Sequence, residues 1–275
     1  MRFRHSAGGR ALLAASILSC AATSAWPQQE TRQDRGKRVV QEALAAVGGD
    51  AFLGLKDRTE SGRLYSFDGG TGRVGGGITA LIYTQYLPPV PGQFSVRIRQ
   101  IFGNDQDEGG FLFTPGGAWN LTFRGARPLD EADFATYREN GMRGIFYILR
   151  QRLNEPGLSF YSQGGDIFEH VPVEIVDITD ADNVTITVYF DRNTHLPLRQ
   201  TFRRRNEQFH DFDTEITSFA KYRQVKGITL PLETRRDRNE QRVLEMFITT
   251  EELNKGLKDE LFTVPANLKV LPKAK

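Results

Sequence analysis

Cysteine is nearly absent from this chain of 275 residues: Cys20 is the only one. No internal disulfide is available, so the fold must be held by its core. Histidine is scarce as well. Beyond residue 25 only His170, His195 and His210 remain, with no HxxxH or HExxH spacing and no second cysteine to complete a zinc set. No Gly-x-Ser-x-Gly elbow occurs, so a Ser-His-Asp site would have to be assembled from separate strands. The acidic clusters Asp105-Asp107-Glu108, Asp130-Glu131-Asp133 and Asp177-Asp180-Asp182 lack calcium-loop spacing and suit turns and caps. Paired carboxylates of a glycosidase could come from distant positions, which spacing does not test. Charge of one sign is lacking too. The formal net charge is +2, and without Arg2, Arg4 and Arg10 it falls to −1. That excludes a strongly basic partner surface of the kind nucleic acid requires.

Long apolar runs are also missing. The longest, Ala11 to Ala22, is charge-free but short of the roughly 20 residues that a spanning helix takes. With Arg2, Arg4 and Arg10 before it, the run predicts an export signal over residues 1–25. Two ends are open. Thr23-Ser24-Ala25 resembles a small-x-small cleavage site, whereas Ile17-Leu18-Ser19-Cys20 resembles a lipobox, with the signal at 1–19 and a lipid on Cys20. Residues 26–36 are polar and read as a flexible leader.

What is present is alternation. Val40, Ala43, Leu44 and Val47 fall on one helical face, and Gly48-Gly49 stops the helix. Strands are then predicted over Gly62–Phe67, Ile78–Leu87 and Phe94–Phe102, the last with Ser95, Arg97 and Arg99 on its wet side. Pro115-Gly116-Gly117 marks a hairpin. Asp130 can cap a helix through Tyr137. Met142, Ile145, Phe146, Leu149 and Leu153 then recur at helical spacing until Asn154-Glu155-Pro156-Gly157. Further strands follow: Leu158–Gln163, Val171–Thr179, Val184–Phe190, Leu196–Arg205, Asp213–Tyr222 with Ile228–Thr234, and Arg242–Thr250. Asp180-Ala181-Asp182-Asn183, Asp191-Arg192-Asn193-Thr194 and Arg238-Asn239-Glu240 are their turns. The class is mainly β with a few helices, one long antiparallel meander without βαβ alternation.

One literal motif fails on context. Gly70-Thr71-Gly72-Arg73-Val74-Gly75 matches the dinucleotide fingerprint, yet Gly76-Gly77 and a β-branched strand follow where a helix should start. A hairpin loop accounts for it, and no cofactor is expected. The phenylalanines, eight of them at strand or helix positions (Phe94, Phe102, Phe111, Phe113, Phe146, Phe190, Phe202, Phe247), suit an ordinary core. A single curved sheet can instead leave its concave apolar face partly unfilled and hold an acyl chain there.

The order Val188-Tyr189-Phe190-Asp191, Thr194, Leu196-Pro197, then Tyr222, Gly227-Ile228, Leu230-Pro231, then Asn254, Asp259, Phe262 and Pro265 resembles the bacterial outer-membrane lipoprotein-sorting proteins. Ala45-Ala46-Val47-Gly48-Gly49 before the first strand fits the same set, the LolA/LolB-like periplasmic carriers. The resemblance implies a half-open antiparallel β-barrel, here of about 10–11 strands, in one domain over residues 37–270. An N-terminal helix and mid-chain helices would cover its concave face. It implies a non-enzymatic periplasmic carrier, monomeric, for lipid or lipoprotein acyl chains, with a handover protein at the inner or outer membrane. Anchoring at Cys20 would make it an outer-membrane lipoprotein instead. The cavity candidates are then Phe94, Val96, Ile98, Phe102, Leu244, Met246 and Ile248 from strands, with Met142, Phe146 and Leu149 from the helix. Such carriers hold the cover with an inner-strand arginine; Arg63, Arg97 and Arg99 are candidates, and none sits in a matching motif. An envelope interaction or sensor module on the same fold is the alternative, and an extracytoplasmic hydrolase a third.

Overall fold

The computed structural model describes residues 30–68, 72–73, 77–103, 109–206 and 210–273. The export-signal segment with Cys20, residues 26–29 of the leader, and the Asp105-Asp107-Glu108 cluster lie outside these.

The first helix, α1 (Arg32–Val47), starts inside the stretch read as leader. Thr31 explains the early start, because its hydroxyl accepts the Asp34 N–H at 3.1 Å and caps the helix. Gly36 explains why the first turn is docked. A Cβ there would stand 2.9 Å from the backbone of Phe160, Tyr161 and Ser162, so only glycine lets the helix approach that strand. Gly48 and Gly49 close the helix by donating to the Ala45 and Leu44 carbonyls. A short turn, α2 (Asp50–Leu53), follows.

Seven strands come next: β1 (Asp57–Asp68), β2 (Gly72–Arg73), β3 (Ile78–Tyr86), β4 (Val96–Phe102), β5 (Gly110–Thr114), β6 (Gly117–Thr122) and β7 (Gly125–Pro128). The helical interlude is α3 (Glu131–Met142) and α4 (Ile145–Tyr147), the latter running into a π-helical turn over Ile148–Arg152. Seven more strands complete the sheet: β8 (Ser159–Phe168), β9 (Val171–Thr179), β10 (Thr185–Asp191), β11 (Pro197–Asn206), β12 (Asp211–Val225), β13 (Ile228–Arg238) and β14 (Gln241–Leu253).

The strands pair in the order β7-β6-β5-β4-β3-β1-β14-β13-β12-β11-β10-β9-β8, with β2 beside β1. Among the described residues all these strand pairings are antiparallel, with one parallel bridge from Ala126 of β7 to Val270, and β7 and β8 end the strand order, so the barrel is half open. The count exceeds the 10–11 strands read from the sequence. The short β7 carries only Gly125-Ala126-Arg127-Pro128 and shows no alternation, while β12 and β13 are separate strands joined at Lys226-Gly227. The glycine fingerprint is part of a hairpin at Gly72-Arg73, which pairs with Asp68 and Phe67; its other residues up to Gly76 lie outside the described set.

Residues from Thr31 onward form one compact unit. Its main core lies at one end of the concave face, where Val40, Ala43 and Val47 of α1 meet Phe190, Ile178, Leu230 and Leu253 of the sheet and Leu149 of the π turn. Full burial of each large side chain there contributes roughly 1.5–3 kcal/mol. Asp57 and Asn254 tie the chain ends of this region together. The Asp57 carboxylate accepts the N–H groups of Lys255 and Gly256 at 2.7 and 2.9 Å, and Asn254 Oδ1 accepts that of Lys56 at 2.7 Å. On the outer face, Phe262 of the returning C-terminal segment covers Leu112, Leu121 and Ala126.

Candidate functional site

Residues directly opposite each other in a sheet share a face, so the register identifies the concave side. Tyr86 pairs with Val96, Thr84 with Ile98 and Ala80 with Phe102. Across the sheet Gly62 pairs with Ile248, Leu64 with Met246 and Ser66 with Leu244, and Gly62 and Leu64 in turn face Ala80 and Ile78. Val96, Ile98, Phe102, Leu244, Met246 and Ile248 therefore share one inner face. Ala80, Met246 and Ile248 are buried there with Leu64, Ile82, Phe102, Leu232 and Leu244 half-buried around them.

The other candidates go elsewhere. Phe94 precedes β4 and packs its ring on Tyr137 and Tyr147. Leu149 is fully buried in the main core. Met142 ends α3 and lines a separate polar groove with Arg152, Glu155 and Asp180. Phe146 meets Phe219 of β12 edge to face at 5.1 Å.

The helical interlude bridges the concave face. Asp130 caps α3 as predicted, its carboxylate accepting the Asp133 N–H at 2.7 Å. The helical spacing from Met142 to Leu153 is broken, however, at Arg143-Gly144, where Gly144 turns extended. Gln200 of β11 occupies this break. Its Oε1 accepts the Ile145 N–H at 2.9 Å and its amide donates to the Arg143 carbonyl at 3.4 Å. On the far side, the Tyr147 hydroxyl accepts from Ser95 N–H at 2.8 Å and donates to the Gln93 carbonyl at 2.9 Å. Gln151 donates to the Leu87 carbonyl at 3.1 Å. The cover thus touches both walls of the half-barrel.

Beneath the break is a cavity of about 450 Å³ between residues 140–147 and strands β11 to β14. Ile145, Phe146, Phe202, Phe219 and Leu244 give it an apolar interior. Gln200, Thr217, Thr234, Glu215, Arg143, Arg236 and Arg238 surround that interior with polar groups. Of the ten residues singled out in the sequence, Phe146 and Leu244 line this cavity. Phe202 and Phe219 were missed as lining. The alternation of Phe202 within β11 was a usable signal, but which strand lies under the cover was not.

A buried charge cluster marks the closed end of the same face. Arg58 of β1 contacts Glu60 at 2.9 Å and Glu251 of β14 at 2.7 Å. Burial raises the Glu60 carboxyl above its ordinary value; Arg58 opposes this, and Glu251 adds to it. Burial also pulls on Arg58, but the two carboxylates outweigh it and its affinity for a proton rises. Burial raises the Tyr86 hydroxyl next to them. Arg150 of the π turn lies 4.2 Å over the Tyr86 ring and donates to the Leu55 carbonyl, pinning the cover to this end.

The three arginines considered for the cover face away. Arg63 pairs with Phe247 and Thr79, and Arg99 with Tyr83 and Leu112, all of outer parity. Arg97 meets Asp259 at 2.8 Å outside the barrel. The inward parity of β1 belongs to Arg58, Glu60, Gly62 and Leu64. Among the described residues no group of His, Cys, Asp or Glu could hold a metal, and no helix is long and apolar enough to cross a membrane.

This geometry has known counterparts. A solved outer-membrane lipoprotein-sorting protein domain from Vibrio parahaemolyticus superposes with a TM-score of 0.58 at 12% identity, over 84% of this chain and 97% of that one. A DUF1329 family protein from Desulfovibrio piger gives 0.57 at 14%, covering 83% and 97%. A LolA superfamily protein from Nitrosomonas europaea gives 0.53 at 9%, covering 83% and 97%. No family model and no curated protein matches the chain. The chain has the half-open barrel fold of these lipoprotein-sorting and LolA superfamily structures.

Proposed function

We propose that this protein is a periplasmic, non-enzymatic carrier that holds acyl chains of a lipid or lipoprotein between its cover and its inner sheet face. The observation that carries the proposal is the cavity of about 450 Å³ under the Arg143-Gly144 break, with an apolar interior and a roof attached by separate contacts to both walls. A volume in the range of about 300–1,000 Å³ is what small-molecule sites offer. A carrier also needs a cover that can move, and a break between two short helices supplies a hinge. The fold shared with lipoprotein-sorting structures supports the same reading. The inner-face residues Ile98, Phe102, Met246 and Ile248 would continue the apolar path beyond the cavity. Export would deliver the protein to the periplasm, or to the outer membrane if Cys20 is acylated. Loading and unloading would use a handover protein at either membrane.

Native mass spectrometry of the protein from its own envelope fraction tests this. A bound lipid or acylated peptide, removable by organic solvent, is the expected result. Leu244→Glu places a carboxylate in the apolar interior and should remove at least nine-tenths of the bound acyl species, about a tenfold loss, while circular dichroism stays unchanged. A folded Leu244→Glu protein with undiminished cargo would overturn the assignment. A wild-type protein that takes up no added phospholipid or lipopeptide would overturn the carrier itself and leave an envelope interaction module on this fold.

A further inference from the structure

The mouth of the cavity is built from arginine. Arg143, Arg236 and Arg238 line it, and Arg143 also lines the adjoining groove, of about 590 Å³, with Arg203, Arg204 and Arg205. Three carboxylates, Glu139, Glu215 and Asp237, stand nearby, and the last two line the cavity itself. Glu215 is shared by Arg204 at 3.5 Å and Arg238 at 3.6 Å. Asp237 is held by Arg235 and Arg242, both at 3.2 Å, and neither of those lines the cavity. Glu139 meets Arg143 at 3.3 Å, but its side chain is half exposed. Among the described residues Arg236 has no ion pair.

The placement is also specific. The Arg143 guanidinium lies 4.3 Å over the Phe202 ring, and Phe202 lines both the cavity and the groove. Cation and apolar wall therefore meet at one point, as they would for an amphiphile with its chain inside and its charge at the rim. Burial disfavours the charge of Arg143, so an anion there would replace lost hydration.

Taking the carrier reading as given, we infer that the cargo is a phospholipid with an anionic headgroup: its acyl chain lies against Phe146, Phe219 and Leu244, and its phosphate on Arg143 and Arg236. Planar guanidinium groups suit phosphate oxygens through paired N–H donors. A triacylated lipopeptide has the same chains and no phosphate, so the arginines would give it no advantage.

The test incubates the exported chain with vesicles of phosphatidylglycerol, of phosphatidylcholine with the same acyl chains, or with a triacylated lipopeptide. The protein is then separated from vesicles by size exclusion, and bound lipid is counted by mass spectrometry. Phosphatidylglycerol should load about tenfold over phosphatidylcholine, with the ratio falling as salt rises. Arg143→Gln/Arg236→Gln should erase the ratio, with phosphatidylglycerol loading falling the further, while the outward-facing Arg63→Gln keeps it. Equal loading of the two phospholipids, preference for the lipopeptide, or an unchanged ratio in the double variant would overturn the headgroup assignment while leaving an acyl carrier. Inorganic phosphate that blocks loading at concentrations matching the lipid would point to a free-anion site and overturn it too. No loading of any acyl compound would remove the carrier reading itself. Should the double variant fail to fold, the wild-type ratio alone decides.

Discussion

Arginine sits at both ends of the same concave face, in opposite circumstances. At the closed end Arg58 is flanked by two carboxylates, Glu60 and Glu251, in a site shielded from solvent. At the open end Glu215 is shared by two arginines, Arg204 and Arg238, and among the described residues Arg236 has no ion pair. A buried charge must be compensated to exist at all, whereas a charge at a rim can be left for a partner to meet. The closed end is therefore organised for structure and the open end for contact. The same division holds for the apolar residues. Leu149 and Phe190 are fully packed at the closed end, whereas Phe146, Phe202 and Leu244 stay half-buried around the cavity.

The largest test of this contrast is to remove one arginine from each end. Arg58→Met strands two buried carboxylates and should cost about 3–5 kcal/mol of stability. Arg236→Met removes an exposed charge with no ion pair and should cost less than about 0.5 kcal/mol. Urea unfolding followed by circular dichroism measures both. Equal losses would mean that the two ends do not differ in kind.

Much of this contrast could be read from residue order, and the rest depended on register. The alternation of Val184, Ile186, Val188 and Phe190 placed β10 correctly, and Asp130 marked the start of α3. Parity along β1 was available too, since Leu64 inward makes Arg63 outward and Arg58 inward. The cavity was not legible. It depends on Gln200 reaching the Ile145 N–H across the barrel, a contact between residues 55 positions apart. It also depends on Phe146 meeting Phe219, which requires β12 to lie under α4. Neither relation leaves a periodic trace, because long-range pairing sets them. Gly141 lies within α3 with the Phe94 ring 2.3 Å from where a Cβ would stand, and the helix breaks three residues later at Gly144.

A smaller effect should separate the cover's two attachments. Gln200→Ala removes the acceptor for the Ile145 N–H and the donor to the Arg143 carbonyl, both at the open end. A lost cap of this kind costs about 1 kcal/mol. Cleavage by a protease should therefore rise at residues 140–147 first, with the Arg150 and Tyr147 contacts still holding the rest. Hydrogen exchange resolved to peptides would show the same order. Protection lost evenly from Asn140 through Arg152 would mean that the cover opens as one piece, and that Gly144 is not a hinge.

The smallest expected effect is a slope rather than a loss, and it belongs to the closed end. Burial raises the folded-state carboxyl of Glu60 above its ordinary value. The folded protein therefore binds a proton more readily at this site than the unfolded chain does. Below the ordinary carboxylate range both states are protonated and the site is neutral to stability. As pH rises from that range through the raised folded value, the unfolded chain ionises first, and stability from this site falls. Glu60→Gln should remove this decline, so that the variant gains relative to the parent as pH rises through the window. Unfolding free energies measured at closely spaced pH values across it would reveal the change. Parallel curves for the two proteins would show that Arg58 offsets the burial of Glu60 in full, and the raised carboxyl would have to be abandoned. The mouth offers the control. Arg236→Gln leaves the Arg58, Glu60 and Glu251 contacts in place, so its curve should run parallel to the parent's, and any divergence would show that the two ends are coupled through the sheet.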